Sequence, residues 1–337
     1  MTEQTYRKVV VQETARDPHS ALKIVEVAMG EPGPGELLVR NYYAGVNYTD
    51  LALMMGLTDA GQHLPFDFGA EAIGEVVAIG SGITNFQRGD IVLTGLPGNG
   101  YREYSRISQG FAMKVPAMKP EYVGLFISGS AAKIASESLA EIGSGQTVLV
   151  TVGCGSVGHY LVQLARLAGN HVISTCHNET EATLLQELGV DRIIDRSQED
   201  VTKVLQEEYE NGLQVVFEAF GGSILDAALK QAAPLAKIVL LETLHEHFRS
   251  ASAVHQVNFY EMVIRKSVKI LGFTMSDYAQ NFILEAGKMI DLYERGEIRS
   301  IIDDRLFSGL ESVPDALAHL MSGEGYGKTL VQLVDEA

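Results

Sequence analysis

The sequence predicts an α/β protein in which a parallel, doubly wound sheet is combined with a smaller β-rich domain. Strand-like and helix-like segments alternate from about residue 125 to residue 272, which is the pattern of a parallel sheet covered by helices. Short apolar stretches separated by turn signals fill residues 1–124 and predict a small barrel or sandwich. A glycine-rich sequence joins the first strand of the middle segment to its first helix.

The composition is that of an acidic globular chain. Its 337 residues are enough for two domains, 46% of them are hydrophobic, and 26 Lys and Arg against 43 Asp and Glu give a net charge of −17. This charge disfavours nucleic acid as a partner, and the apolar runs are too short to span a membrane. The first residues lack the layout of a secretory signal, and two cysteines exclude a disulfide framework. We therefore expect a cytoplasmic protein.

The N-terminal part is predicted to consist of short strands joined by turns. We expect the strands in YRKVVVQ, LKIVEVA, ELLVRNYYAGV, AIGEVVAIG and DIVL. The run Pro-Gly-Pro-Gly at residues 32–35 fits only a turn between two strands. NYTDLALMMG interrupts the strands as a short helix, and either Asn47 or Thr49 is available to cap it.

The middle of the chain is predicted to alternate strand and helix. Strands are expected in QTVLVTV, HVISTC, RIIDR, LQVVFEAF and AKIVLLET, and the helices lie between them. The first helix, in SVGHYLVQLARLAG, carries an apolar stripe at the spacing of a helix that lies on a sheet. From residue 273 we expect a long amphipathic helix in YAQNFILEAGKMIDLYERG, a second helix near Ala316 and a final strand in KTLVQLV.

The strongest chemical signal is a G-x-G-x-x-G turn between a strand and a helix. Its candidate cofactor-binding residues are Gly153, Gly155, Ser156, Val157 and Gly158. The first glycine permits a tight turn, the second permits close approach of a pyrophosphate, and the third permits close packing of helix on strand. The phosphates would lie at the helix N-terminus, where N–H groups and the dipole favour an anion. The pattern predicts a Rossmann-type dinucleotide site, and the alternative is a tight turn without a ligand.

The residues after the second strand bear on which dinucleotide binds. A NAD site usually has Asp or Glu at that strand end, whereas here the strand runs into Asn178 without an acid. Arg196 follows the third strand and can reach the same pocket, which favours NADP(H) over NAD(H). Glu179 and Glu181 begin the next helix and would repel a 2′-phosphate. The alternative is that Arg196, Glu179 and Glu181 are ordinary charged surface residues.

These residues resemble the medium-chain dehydrogenase/reductases, and the similarity spans nearly the whole chain. It rests on residues 45–50 (GVNYTD), 69–71 (GAE), 127–129 (ISG), 150–169 (VTVGCGSVGHYLVQLARLAG) and Gly327-Lys328. VPAMKPEYVGLFISG and LYERGEIRSIIDDRLFSGLESVPDAL are similar to the zinc-free quinone oxidoreductase and prostaglandin reductase branch, which reduces activated C=C bonds. The resemblance implies a GroES-like β-barrel catalytic domain, residues 1–124 and 273–337, around a Rossmann domain, residues 125–272.

The resemblance also implies that no zinc takes part. Zinc-dependent relatives carry a Cys where this sequence has Asn47 and a His where it has Ala70, and neither an amide nor a methyl group replaces those ligands. His245, His247 and His255 lie close together in the sequence, but H-x-H in a polar loop is more typical of solvated side chains than of a metal site.

Asn47 and Tyr48 are the candidate catalytic residues. Asn47 matches the family position near the nicotinamide ribose and substrate, although it is equally a candidate helix cap. The Tyr that many relatives carry shortly after this helix is missing from residues 55–59, so the Tyr48 hydroxyl is a candidate substitute donor; packing is the alternative role. Phe273 begins a segment that lines the nicotinamide pocket in the family, and Tyr278 in that segment is a weaker candidate donor.

The resulting prediction is NAD(P)H-dependent hydride transfer to the C=C bond of an enone or enoyl-CoA thioester. Hydride addition to a polarised alkene needs hydrogen-bond donors for the enolate oxygen and a proton for the α-carbon. A quinone reductase is the alternative enzyme, and an NADPH-binding, crystallin-like protein with little turnover is the alternative of another class. The resemblance further implies a homodimer in which the last strand of the cofactor domain, in VKILGFT, pairs with its copy.

Overall fold

The computed structural model describes residues 4–58, 63–241, 259–278 and 280–334. The chain divides into two compact units, one formed by Met1–Ile127 and Ser300–Ala337 and the other by Ser128–Arg299. We refer to them as the first and the second unit. No helix among the described residues is both long and apolar enough to cross a bilayer.

The first unit is built mainly from antiparallel strands. Its strands are β1 (Thr5–Val11), β2 (Leu22–Ala28), β3 (Glu36–Gly45), β4 (Phe66–Asp67), β5 (Glu71–Ile79), β6 (Ile91–Gly95), β7 (Tyr104–Ser108), β8 (Ala112–Lys114), β15 (Phe307–Ser308) and β16 (Leu330–Gln332). Its helices are α1 (Pro18–Ala21), α2 (Tyr48–Met54), α3 (Pro120–Gly124) and α11 (Val313–Ser322), with 3₁₀ turns at Gln109–Phe111 and Leu310–Ser312. In this part of the structure one sheet has the order β2-β1-β4 and a larger one the order β15-β16-β3-β5-β6-β8, with β7 paired to β3.

The central strand β3 positions the functional residues of the first unit. Its side chains are largely buried, as expected for a strand between two others. Its last residue, Gly45, lies opposite Glu71 of β5 on one side and Leu330 of β16 on the other. Residues that flank β16 in the sequence therefore meet the start of β5 and the start of helix α2, which follows β3.

The second unit is a parallel sheet flanked by helices. Its strands are β9 (Thr147–Val150), β10 (His171–Cys176), β11 (Arg192–Asp195), β12 (Leu213–Glu218), β13 (Ala232–Leu240) and β14 (Lys269–Gly272). Its helices are α4 (Ser130–Ile134), α5 (Gly158–Leu167), α6 (Glu179–Glu187), α7 (Val201–Glu208), α8 (Gly222–Lys230), α9 (Phe259–Lys266) and α10 (Phe282–Glu294). Two π-helical turns, Leu125–Gly129 and Ala135–Leu139, flank α4, and a 3₁₀ turn covers Met275–Tyr278.

The strand order of this sheet fixes where a ligand would bind. The order is β11-β10-β9-β12-β13-β14, or 3-2-1-4-5-6 when its strands are numbered from one. The order reverses between β9 and β12, and ligands of doubly wound sheets bind at that switch point, beyond the carboxyl ends of the strands. Buried aliphatic side chains pack between strands and helices; they include Leu149, Ile173, Ile194, Leu205, Val216 and Ile238.

The predicted fold class is confirmed in the doubly wound parallel sheet of the second unit and the β-rich first unit. The helix predicted after the glycine turn forms as α5, and those predicted near residue 290 and near Ala316 form as α10 and α11. The sequence reasoning missed the short strands β4, β7 and β8 and the helices between Pro120 and Leu139.

Candidate functional site

A buried polar cluster lies at the end of β3 in the first unit. We use this name for Asn47, Asp50, Glu71, Tyr101 and Lys328. Asn47 is the N-cap residue of α2, Glu71 begins β5, and Lys328 precedes β16, so the pairing of β3 with β5 and β16 brings them together.

Three members of the cluster are in direct contact. The Lys328 ammonium donates to Asn47 Oδ1 at 2.7 Å and lies 2.6 Å from Glu71 Oε1. Asn47 Nδ2 donates to the same Glu71 oxygen at 2.9 Å, and the second carboxylate oxygen accepts from the Ile127 N–H at 3.1 Å. Lys328 and Glu71 are fully buried, so each compensates the charge of the other in a region shielded from solvent.

Asp50 and Tyr101 complete the cluster. Asp50 Oδ2 accepts from the Asn47 N–H at 2.9 Å and from the Tyr101 hydroxyl at 2.8 Å. Burial raises the pKa of Asp50 from 3.8 to about 6, against these hydrogen bonds and the Lys328 charge, which lower it. Burial next to Asp50 raises the pKa of Tyr101 well above its usual value of 10, so Tyr101 acts as a donor at neutral pH.

Gly45 leaves the space in which the cluster forms. A β-carbon at this position would overlap Glu71 Oε1 and lie 2.8 Å from Lys328 Cε. Any other residue would therefore separate the carboxylate from the ammonium.

Tyr48, the other candidate catalytic residue, is the first residue of α2 and is half-buried. It directly follows Asn47, and the segment that lacks the family Tyr begins just beyond the C-terminus of α2. Asp59, at the end of that segment, lies outside the described residues.

In the second unit, the glycine turn connects β9 to α5 at the switch point of the sheet. A β-carbon on Gly158 would overlap the carbonyl oxygen of Val152, and one on Gly153 would overlap Ser174 Oγ on β10. These two glycines bring the start of α5 and the turn close to the strands. A β-carbon on Gly155 would instead lie 3.0 Å from the Val152 side chain and 3.5 Å from the Val152 carbonyl oxygen. The N–H groups of a first helical turn have no intrahelical partner and are available to an anion. The turn therefore fits the pyrophosphate of a dinucleotide.

The residues proposed to choose between NADP(H) and NAD(H) lie at the carboxyl ends of β10 and β11. Asn178 is the N-cap of α6, and its side chain accepts from the Glu181 N–H at 2.9 Å. Glu181 in turn accepts from the His177 N–H at 2.7 Å, so its carboxylate is directed at the strand end. The Arg196 N–H donates to the Cys176 carbonyl, and the Arg196 guanidinium lies 4.3 Å from the centre of the Phe220 ring.

Glu218 holds the loop that carries Phe220. This carboxylate is buried at the end of β12 and accepts from the N–H groups of Phe220, at 2.8 Å, and Gly221, at 3.0 Å. Thr151, which follows β9, donates to Glu218 at 3.3 Å and accepts from the Ala219 N–H at 3.1 Å. The Phe220 loop is thus tied to the glycine turn, and the ring supports Arg196 across the carboxyl edge of the sheet.

The remaining candidates are Phe273 and three histidines. Phe273 follows β14, bonds through its N–H to the Leu240 carbonyl and stacks on Tyr278 with ring centres 5.7 Å apart. His245, His247 and His255 lie outside the described residues. Within the described ranges, no three His, Cys, Asp or Glu side chains group in a way that could hold a metal ion.

Sequence reasoning did not single out Asp50, Glu71, Tyr101, Lys328, Glu218 or Phe220 as site residues. The available signals were a lysine directly before an apolar strand and an acid at the start of another, since charged residues are rarely buried without a partner. Glu71 and Lys328 stood in the motifs that carried the family resemblance, but their contact joins positions far apart in the chain.

Two family models match the chain. The model described as "Alcohol dehydrogenase GroES-like domain" matches residues 33–117, and the one described as "Zinc-binding dehydrogenase" matches residues 156–293.

Full-length relatives and a solved structure agree with these matches. The chain is 33% identical to mouse prostaglandin reductase-3, over 98% of this chain and 90% of that protein. It is 31% identical to a probable quinone oxidoreductase of Leishmania amazonensis, over 97% of this chain and 98% of that protein. A mycobacterial protein solved in complex with NADPH superimposes with a TM-score of 0.84 at 25% identity, covering 97% of this chain and 99% of that one.

Proposed function

Since the chain belongs to the medium-chain dehydrogenase/reductase family, we propose that it is an NAD(P)H-dependent oxidoreductase that reduces the C=C bond of α,β-unsaturated carbonyl compounds. The observation that carries the proposal is the glycine turn at the switch point of the parallel sheet, together with full-length similarity to a prostaglandin reductase. A quinone is the second candidate substrate class, because another full-length relative is named a quinone oxidoreductase.

Each unit has its own part in the proposed reaction. Gly153, Gly155, Ser156, Val157 and Gly158 would hold the dinucleotide, with Asn178, Arg196 and Phe273 at the same edge of the sheet. When bound, the cofactor supplies a hydride to the β-carbon of the polarised alkene. In the first unit, Asn47 would orient the reactants and the Tyr48 hydroxyl would donate to the developing enolate oxygen. The alkene is carried by an enone or, equally, by an acyl-CoA thioester.

We further propose that the reaction proceeds without zinc. Asn47 and Ala70 replace the ligands of zinc-dependent relatives, and the Asn47 oxygen is already bonded to an ammonium at 2.7 Å. A dication next to that ammonium would be strongly repelled. Turnover that persists after dialysis against a chelator, in protein containing no zinc by elemental analysis, is the expected result.

Arg196 supports the choice of NADP(H). Its guanidinium lies over the Phe220 ring at the carboxyl edge of the sheet, and guanidinium groups bind phosphates bidentately. Glu181 opposes it, but this carboxylate already accepts from the His177 N–H. We expect NADPH to have a lower KM than NADH, and Arg196→Ala to abolish most of that difference. An unchanged preference in Arg196→Ala would refute this assignment.

Loss of NADPH absorbance at 340 nm tests the reaction. The panel is 2-cyclohexenone, a crotonyl thioester and a quinone, each assayed with NADPH and NADH. Turnover with the enone or thioester supports the main proposal, and turnover with the quinone alone supports the second. Tight NADPH binding without any turnover would refute both and identify a crystallin-like binding protein.

Two further properties, the cellular location and the oligomeric state, form part of the proposal. A cytoplasmic location is supported by Cys154 and Cys176, which are buried free thiols. Burial raises the pKa of both, to about 11 for Cys176, so they stay protonated and unreactive. A homodimer would pair β14, an edge strand of the parallel sheet, with its copy. Sedimentation of the intact protein at twice the chain mass would support it.

A further inference from the structure

The carbonyl oxygen of Gly155, inside the glycine turn, accepts two hydrogen bonds from a single residue. The His159 main-chain nitrogen lies 3.1 Å from this oxygen, and ring nitrogen Nδ1 of the same residue lies 2.9 Å from it. A carbonyl oxygen can only accept, so the hydrogen of this second contact must be on the ring nitrogen. Because the oxygen has two lone pairs, His159 fills both of its acceptor positions.

Packing holds the His159 ring in this position. The ring is fully buried in the first turn of α5, and its centre lies 3.8 Å from the centre of the buried Tyr160 ring. Gln163, one helical turn later, makes the same kind of contact, since its Nε2 donates to the His159 carbonyl at 2.9 Å. A side-chain N–H at position 159 can therefore reach the carbonyl four residues before it within regular helix geometry.

A second carbonyl oxygen at the turn is also bonded to a side chain. Thr151 follows β9, and its carbonyl oxygen accepts from the hydroxyl of Thr175 on β10 at 2.6 Å. Thr175 is buried, so this hydroxyl is shielded from solvent. The Val152 carbonyl oxygen between them accepts from the Gly155 N–H at 3.2 Å. Three carbonyl oxygens between β9 and α5 are thus directed at donors of the second unit.

The direction of these carbonyl groups decides what the turn offers to an anion. A trans peptide group directs its carbonyl oxygen and the following N–H in opposite directions, so a Gly155 carbonyl that faces α5 directs the Ser156 N–H away from the helix. Because glycine has no Cβ, residue 155 also tolerates conformations in which this peptide is turned the other way. An oxygen turned outward would repel a pyrophosphate, whereas an N–H binds it. Donors on the oxygen also polarise the peptide and strengthen the bond that its N–H donates.

We propose that His159 and Thr175 are positioning residues of the dinucleotide site: they hold carbonyl oxygens of the glycine turn toward the protein, so that the turn presents N–H groups to the pyrophosphate. The inference rests on the proposed function and deepens it. It concerns the second unit alone, and neither side chain has to touch the cofactor. The glycines permit this orientation of the turn, and the two buried side chains select it.

Three substitutions separate the hydrogen bonds from the shape of the side chains. His159→Leu and Thr175→Val remove the donor and keep the approximate volume of the side chain. His159→Gln keeps an N–H group, which can reach the same carbonyl as Gln163 reaches that of His159. Thr94→Val is the control, because it removes a buried hydroxyl that lies 3.4 Å from a main-chain carbonyl oxygen in the first unit.

The readouts are the Kd of NADPH, measured by fluorescence titration, and the inhibition constant of 2′-AMP as a competitor of NADPH. This competitor shares the adenosine and the 2′-phosphate of NADPH but has no pyrophosphate. We expect His159→Leu and Thr175→Val each to bind NADPH about 3- to 10-fold more weakly, the effect of one hydrogen bond, and His159→Gln to bind it within about twofold of wild type. The affinity for 2′-AMP should be unchanged in all three, and Thr94→Val should change neither constant.

Native NADPH affinity in His159→Leu or in Thr175→Val would overturn the role of that residue, and so would a loss in His159→Leu that His159→Gln does not restore. Equal losses of NADPH and 2′-AMP affinity would overturn the proposal as a whole, since the substitution would then disturb the entire second unit. Thr175→Val decides the question if His159→Leu does not fold. A wild-type protein that binds NADPH and reduces nothing in the panel would refute the proposed reaction alone, because these affinities are measured without turnover.

Discussion

Replacing Asp50 with Asn tests the electrostatics of the polar cluster through protein stability. Burial raises the pKa of Asp50 from 3.8 to about 6. The folded protein therefore keeps a proton on this carboxyl over a pH range in which the unfolded chain has released it. A difference of about 2 pK units corresponds to ~3 kcal/mol, at 1.36 kcal/mol for each unit.

The direction of the pH dependence of stability follows from which state, folded or unfolded, holds the proton. The neutral carboxyl contributes its full stability below about pH 4, and this contribution is lost as the pH rises through 6. Asn remains neutral throughout. Both donors, the Asn47 N–H and the Tyr101 hydroxyl, bond to the same Asp50 oxygen, so one amide oxygen can accept both. Wild type should therefore lose ~3 kcal/mol relative to Asp50→Asn between pH 4 and pH 7.

The assay is urea unfolding of both proteins at pH 4, 5, 6 and 7, compared as the difference in unfolding free energy. Asp90→Asn is a control with the opposite sign. Burial would raise the pKa of Asp90, but hydrogen bonds from Lys114 and the Gln87 N–H outweigh it and lower that pKa. Wild type should thus gain stability over Asp90→Asn as the pH rises toward 4 and show little further change above it, so this control pair is also measured at pH 3. The electrostatic description of the cluster would be refuted if the unfolding free energies of wild type and Asp50→Asn differed by the same amount at every pH. It would also be refuted if wild type became relatively more stable at high pH.

Three further substitutions test the residues proposed for each unit. Gly158→Ala should weaken NADPH binding at least tenfold, because the new methyl group overlaps the Val152 carbonyl and displaces the start of α5. Gly287→Ala is the control: the space around this position in α10 is open, so the change should leave protein stability unchanged or raise it by about 0.5–1 kcal/mol. Phe220→Leu should reduce the ratio of NADPH to NADH affinity by about 2- to 5-fold through loss of the cation–π contact, and it should have no effect in an Arg196→Ala background. Tyr48→Phe should lower kcat by about 10²-fold with the NADPH Kd unchanged, and a native kcat would assign Tyr48 to packing.

The second unit could be predicted from local sequence because its signals are local. The apolar stripe with Tyr160, Leu161 and Leu164 predicts the helix that forms as α5, and these three side chains are buried in it. The three glycines of the turn lie within six consecutive residues, in a fixed order of strand, turn and helix. Each of these features can be recognised from residues that are close together in the chain.

The polar cluster could not be predicted in this way. Lys328 and Asn47 are separated by 281 positions, and their contact depends on the register in which β16 pairs with β3. The short strands β4, β7 and β8 were missed for the same reason, since strands of two to five residues are stabilised by partners remote in sequence. Phe220 gave no signal, because a single aromatic residue after a strand is as common in packing as in binding.

The buried Lys328–Glu71 pair is better explained by function than by stability. Replacing such a pair with neutral residues of similar volume is often neutral or stabilising, since desolvation of two charges offsets most of their attraction. The first unit also excludes a side chain at Gly45 to keep the pair in contact, and it holds Asp50 nearby as a second acid whose pKa is raised. A fold selected for stability alone would gain by filling this space with apolar side chains. The ion pair does what apolar packing cannot, because its cation contacts the oxygen of the Asn47 amide and its anion contacts the nitrogen, which fixes the direction of that amide.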